Sequence, residues 1–310
     1  MSRKNLLKSS SMSAILLAFV ACFSALSSAE SVTNPDELVA KHLDSVGTAK
    51  ARSEVKSRAD EGTSQFQIVN GGGLLQGKSV LLTDGRKMLF MMSYQNNEYH
   101  GERFIFDGDR VEIRAATARQ TRSTLGEFLR VQDVIIKDGL LGGVLSTGWP
   151  LFNLEERKAK LSYEGVKNID GHKLVDMRYK PKKNSDLDIH LYFDPETYRH
   201  VKTVYTLSVR QGIVNVQGGV ASATPTGGEG VALPTSTTET AQARQNETRY
   251  RLEENFSDFD TADGLTLPKH YTIHFTEELQ NGQTVITEWE NSSTKLIENV
   301  PADPKNFQVK

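Results

Sequence analysis

Cysteine is almost absent from this chain: one thiol, Cys22, in 310 residues. It lies in an apolar stretch near the N-terminus. The remaining sequence can therefore form no disulfide, thiolate metal site or cysteine nucleophile. Tryptophan occurs only twice, and no apolar run beyond residue 30 reaches the length that spans a bilayer. Neither charge dominates, with 37 Lys+Arg against 39 Asp+Glu and a formal net charge of −2. Mild acidity without basic clusters argues against nucleic acid as a partner.

Catalytic signatures are missing as well. Gly72-Gly73-Leu74-Leu75-Gln76-Gly77-Lys78-Ser79 satisfies G-x-x-x-x-G-K-[ST], but a phosphate loop needs a helix beginning at the lysine to complete its anion site. Here Lys78 opens a strand that turns at Asp84-Gly85, so the string reads as a glycine-rich hairpin and no nucleotide is expected. Ser53-Glu54-Val55-Lys56 and Ser292-Ser293-Thr294-Lys295 fit S-x-x-K, yet both read as strand or loop and lack S-D-N and K-T-G partners. Neither G-x-S-x-G nor H-E-x-x-H occurs. His270 and His274 would share a strand face about 13 Å apart, too far for one metal. Asp258-x-Asp260-x-x-Asp263-Gly264 resembles a calcium loop, but its third acid comes a residue late and Lys269 stands where the glutamate is required. These absences predict no catalytic residues, no metal and no cofactor.

The first residues read as an address. Arg3, Lys4 and Lys8 precede an apolar core from Ala14 to Leu26, and Ser27-Ser28-Ala29 suits a signal peptidase. Cleavage after residue 29 would leave 34 Lys+Arg against 39 Asp+Glu, a net charge of about −5. The expectation is a signal peptide over 1–29 and an exported protein of the periplasm or cell envelope. A competing reading makes Phe19-Val20-Ala21-Cys22 a lipoprotein box with Cys22 lipidated.

What the chain has in quantity is alternation. Asp84-Gly85, Asp107-Gly108, Asp170-Gly171, Asp263-Gly264 and Asn281-Gly282 are each flanked by period-2 sequence, and such pairs suit the primed turns that match strand twist. Ahead of the strands, Asn34-Pro35-Asp36-Glu37 opens a helix whose Leu38, Val39, His42, Leu43 and Val46 share a face, with Gly47 as its stop. Val80 and Leu82 lead into the first turn and Met88, Phe90, Met92 and Tyr94 return; the long apolar residues are expected on one face.

Residues 123–153 break this pattern. Thr124-x-x-Glu127 resembles a capping box, and Leu140, Leu141, Val144, Leu145 and Trp149 crowd between Gly139, Gly142, Gly143 and Gly148. The segment reads as two short apolar helices with glycine hinges, either a plug sealing one end of a barrel or a movable lid over an apolar cavity. Residues 211–247 are rich in Gly, Ala, Ser, Thr and Pro and read as a disordered insertion. Beyond them the β pattern resumes and completes the same sheet.

One collective signal remains. Met88, Phe90, Met92, Phe104, Phe106, Ile189, Leu191 and Phe193 give wide apolar strand faces, and methionine adapts to irregular apolar ligands. They form either an ordinary packed core or a hydrophobic-ligand cavity. The order of parts resembles the LolA-like, outer-membrane lipoprotein-sorting superfamily. Three strings carry the resemblance: Glu102-Arg103-Phe104-Ile105-Phe106-Asp107-Gly108-Asp109-Arg110-Val111, Leu191-Tyr192-Phe193-Asp194-Pro195-Glu196-Thr197 and Asp263-Gly264-Leu265-Thr266-Leu267-Pro268. It implies a mainly β (α+β) fold over 30–310: an unclosed antiparallel β-barrel with an N-terminal helix and short lid or plug helices. It also implies noncatalytic carriage of lipid or lipoprotein acyl chains, with the five residues from Leu140 to Trp149 in the lid. A lid-locking arginine would be Arg52, Arg58 or Arg103. The alternative is an envelope sensor or scaffold that binds a protein partner with the same fold.

Overall fold

The computed structural model describes residues 33–69, 71–117, 120–183, 185–210 and 247–310. The expected signal peptide, Cys22 and residues 211–246 lie outside the described residues; Glu247 already belongs to a strand.

Turn chemistry decides where the strands break. At Asp170-Gly171 and Asp263-Gly264 both residues take positive φ, 52° and 84° in the first pair and 52° and 78° in the second, so each makes a two-residue turn of the primed kind. The other pairs differ. Asp84 still pairs with Lys87, so the first turn is Gly85-Arg86, with Gly85 at φ 56°. Asp107 starts a four-residue loop, its Oδ1 accepting from the Asp109 and Arg110 N–H groups. Asn281-Gly282 lies inside a longer loop closed by the Leu279 N–H on the Gln283 carbonyl.

Among the described residues of the unit Val32–Lys310, twelve strands form one antiparallel sheet. The first group is β1 (Ser57–Ile68), β2 (Leu75–Asp84), β3 (Lys87–Tyr94), β4 (Gly101–Phe106) and β5 (Val111–Ala115). The second is β6 (Lys160–Ile169), β7 (His172–Lys180), β8 (Asp188–Phe193), β9 (His200–Arg210), β10 (Glu247–Ala262), β11 (Leu265–Glu278) and β12 (Thr284–Glu298). Their order is β5-β4-β3-β2-β1-β12-β11-β10-β9-β8-β7-β6. Every neighbour is also a sequence neighbour except at the β1–β12 seam, where Arg58 lies opposite Glu298. The sheet is unclosed, with β5 and β6 at its ends.

Helix α1 (Pro35–Val46) starts as the sequence implies: Asn34 accepts from the Asp36 N–H, and Pro35 takes the first turn. It buries Leu38, His42 and Val46. A second helix, α2 (Ala49–Glu54), capped by Thr48, contains Ser53, which the sequence reading assigned to strand or loop. Lys78 lies on β2, as the hairpin reading requires.

Between β5 and β6 the chain forms α3 (Thr124–Val131), α4 (Val134–Lys137), 3-10 turns at Gly143–Leu145 and Pro150–Asn153, and α5 (Leu154–Arg157). That is three helices and two turns rather than two helices. The α3 cap is Ser123, whose Oγ accepts from the Gly126 N–H at 3.0 Å, while Glu127 pairs with Arg122 and Arg130 instead of closing a box on Thr124. The core lies between these helices, α1 and the inner sheet face.

One expected face assignment is reversed. Leu81 points inward, whereas Leu82 packs on the outer face with Ala59 under Phe307, and Val80 is only half-buried. Phe307 belongs to a C-terminal 3-10 turn whose packing makes an outward leucine favourable. Among the described residues no helix is long and apolar enough to cross a membrane.

Candidate functional site

Alternation brings the eight candidate cavity residues to one place. Met88, Phe90 and Met92 on β3, Phe104 and Phe106 on β4, and Ile189, Leu191 and Phe193 on β8 all point into the main core, each 0–2% exposed. The five candidate lid residues join them: Leu140, Leu141, Val144, Leu145 and Trp149 are likewise 0–2% exposed. In this structure lid and sheet side chains fill the interior together. Each such large side chain contributes about 1.5–3 kcal/mol by burial.

The glycines expected as hinges instead make close contacts. Gly139, Gly142 and Gly143 take φ of 73°, 80° and 52°. A Cβ on Gly139 would lie 2.0 Å from the Gly148 carbonyl oxygen, and one on Gly143 would lie 2.8 Å from the Phe256 ring. Gly139→Ala is therefore expected to destabilise the protein by about 2–4 kcal/mol, measured by urea unfolding, because strain and clash add at one position. A freely hinging residue would tolerate alanine.

Polar groups hold this apolar segment down. Arg58, 3% exposed, donates through Nη1 to the Val144 and Leu145 carbonyls at 2.7 and 3.0 Å, and its Nε pairs with Glu298 Oε1 at 2.8 Å. The other two arginines raised by the resemblance do something else. Arg52 binds the Leu43 carbonyl at 2.5 Å and that of Gly47, closing the end of α1, and Arg103 is exposed on β4.

Glu254 on β10 is fully buried and accepts three hydrogen bonds: from the Gly142 N–H at 2.7 Å, the Tyr205 hydroxyl at 2.6 Å and the Tyr271 hydroxyl at 2.5 Å. Burial lifts its carboxyl to about 7 against the pull of these donors. His42, also fully buried, accepts from Trp149 Nε1 at 3.1 Å through Nε2 and faces the Tyr198 carbonyl through Nδ1 at 3.1 Å. Both contacts suit a neutral ring with its proton on Nδ1. Burial lowers its pKa to about 4. His200 lies tilted against Trp149 and Phe256 with centroids 4.6 and 4.9 Å away, and burial holds it well below its ordinary range. Outside the core, Arg157 Nη2 binds the Gly148 carbonyl at 2.6 Å, and Thr147 Oγ1 donates to the Gly85 carbonyl at 2.8 Å.

At one end of the sheet two clefts open beside α3. One of about 710 Å³ lies over Phe66, Leu75 and Tyr99; the other, about 330 Å³, is lined by Phe128, Val131, Leu207, Val209 and Tyr250. They share Ser123 and Thr124, and neither is lined by the eight candidate cavity residues. Exposed Ile68, Leu74, Val131 and Val209 gather at this end, from 40% to 63% accessible. Beneath Ser123 the buried Glu102 accepts its N–H at 2.8 Å and its hydroxyl at 2.5 Å, which fixes the start of α3 between the clefts. Among the described residues no group of three or more His, Asp or Glu could hold a metal ion.

Sequence reading missed Glu254, Tyr205 and Tyr271. A signal was present: Leu252, Glu254 and Phe256 alternate inward, which places an acid in the middle of an apolar row.

Among the described residues, an unclosed antiparallel sheet whose inner face is covered by short helices defines the class. The sequence matches no family model and no curated protein. Among solved structures the chain is similar to a DUF1329 family protein from Desulfovibrio piger, at 9% identity over 88% of this chain and 96% of that one, TM-score 0.42. It is also similar to a putative outer membrane lipoprotein-sorting protein domain from Vibrio parahaemolyticus, at 11% identity over 88% and 97%, TM-score 0.43. A third likeness is to the MucA/MucB complex structure from Pseudomonas aeruginosa, at 10% identity over 85% and 99%, TM-score 0.22.

Proposed function

We propose that this protein is a noncatalytic binder of the cell envelope that carries the acyl chains of a lipid or lipoprotein between its sheet and its mid-chain helices. The observation behind this reading is the latched apolar segment. A wide apolar sheet face is covered by a unit that is itself apolar and is held by a small set of hydrogen bonds, donated by Arg58 and accepted by Glu254 and His42. Each buried methylene of an acyl chain is worth about 0.8 kcal/mol, so a chain can replace the lid's own side chains against the sheet. The clefts at Ser123 give such a chain an apolar place to start. In this reading Met88, Phe90, Met92, Phe104, Phe106, Ile189, Leu191 and Phe193 are the cavity wall, and the stretch from Leu140 to Trp149 is the lid. Export through the 1–29 leader completes it.

The filled interior favours a second reading, in which the same fold is an envelope sensor or scaffold for a protein partner. Native mass spectrometry of the mature protein purified from its own envelope separates the two. Co-purifying lipid or acylated protein is the expected result. A protein that arrives empty and excludes fatty-acid probes would sink the carrier reading and leave the scaffold.

A further inference from the structure

An unclosed sheet has two free edges, and in this protein they are unlike. β5 is five residues long, α3 packs on it, and the Lys310 N–H donates to Glu112 Oε2 at 2.7 Å. β6 is ten residues long; among the described residues its only strand partner is β7, and α1 packs against it without pairing. Alternate N–H and C=O groups of β6 therefore face outward along about 33 Å of strand.

The hairpin behind that edge carries a charge the sequence reading did not notice. Residues 158–183 hold Lys158, Lys160, Lys167, Lys173, Lys180, Lys182, Lys183 and Arg178 against Glu164, Asp170 and Asp176, a net of +5 in a chain whose total is −2. All seven lysines are exposed, and none has an ion-pair partner among the described residues. Two of the three acids are engaged: Asp170 with Lys202, and buried Asp176 with His190 at 2.7 Å. Lys160 lies directly opposite Lys180, a like-charge pair that costs a few tenths of a kcal/mol in the isolated protein. Nearby acids are Glu155 and Glu156 on α5, and Asp186 before β8.

Lysines and a bulge on an edge strand ordinarily keep other strands away, and β6 has both, with its register shifting between Tyr163 and Gly165. That protection does not account for Lys173, Lys180, Lys182 and Lys183, which lie behind the edge. It is also selective, since lysines repel cationic strands, resist desolvation by neutral ones and attract acidic ones.

We propose that the free edge of β6 docks an acidic, extended peptide segment of a partner protein, which adds to the sheet as a further antiparallel or parallel strand. Backbone hydrogen bonds supply the affinity, the lysine field selects the sequence, and Val166, 45% exposed, offers an apolar contact. This site is separate from the interior and works whether or not the lid opens.

The test uses the mature protein and a labelled synthetic ten-residue peptide in which glutamate alternates with threonine and valine. Fluorescence anisotropy is expected to show saturable binding that weakens with salt, and hydrogen exchange to show new protection confined to 160–169. Exchanging both Lys160→Glu and Lys167→Glu, on exposed side chains, is expected to weaken binding about tenfold or more. Three results would overturn the proposal: equal binding by a peptide of the same charge with proline at alternate positions, protection elsewhere than β6, or binding of anionic phospholipid vesicles without binding of the peptide. Co-purified lipid in native mass spectra bears on the interior alone, so the two readings fail separately.

Discussion

Arg58→Ala is expected to cost about 3–5 kcal/mol of stability, because it removes one partner of a buried ion pair and leaves the other behind. Glu298 would keep a carboxylate that is only 12% exposed, and the Val144 and Leu145 carbonyls would lose their donor in the core. Urea unfolding reads the cost. Hydrogen exchange over 140–149 reads its location, since the freed carbonyls belong to that segment. A loss below about 1 kcal/mol, or exchange unchanged there, would show that Arg58 does not latch the segment. The double variant Arg58→Met, Glu298→Leu is expected to regain most of the stability, as apolar replacements of a buried pair often do.

Glu254→Gln should leave stability unchanged at pH 4.5 and raise it by up to about 3 kcal/mol at pH 8. The sign follows from the direction of the shift. Burial raises this carboxyl from 4.5 to about 7, so the folded protein prefers it protonated. Its contribution is fully present below pH 4.5 and is lost as pH rises through 7, and the rise from 4.5 to about 7 corresponds to about 3 kcal/mol. Glutamine mimics the protonated form at every pH. His42 works in the opposite direction: lowered from 6.5 to about 4, it contributes stability above 6.5 that is lost as pH falls toward 4. Glu254→Gln should therefore expose the acid sensitivity that His42 and His200 contribute, since burial lowers both. Matching profiles for the two proteins from pH 4.5 to 8, measured by thermal unfolding, would contradict this account.

The sheet was legible because tight turns and alternation are local. Asp170-Gly171 and Asp263-Gly264 carry their turn type in two residues, and the inward rows of β3, β4 and β8 repeat every second position. The capped α1 was equally local. What could not be read depended on distant partners. Leu82 faces outward because Phe307, more than two hundred residues later, covers it. Arg58 is bonded to Val144, Leu145 and Glu298, which all arrive from elsewhere in the chain, so sequence left it level with Arg52 and Arg103. The lysines of β6 and β7 looked dispersed until pairing placed Lys160 against Lys180. The glycines of residues 139–148 suggested hinges, yet packing holds them in place.

The seam between β1 and β12 has a consequence for any chain that emerges N-terminus first. All other pairings are between strands that follow each other, so they can form as the chain emerges. β1 must wait for the last strand, a delay of tens of seconds at roughly 5–20 residues per second, with one edge bare meanwhile. Glu298 comes from that last strand. The ion pair that steadies Arg58 beneath the mid-chain helices thus forms only on a finished chain, and a truncated product would keep the helices without the clasp.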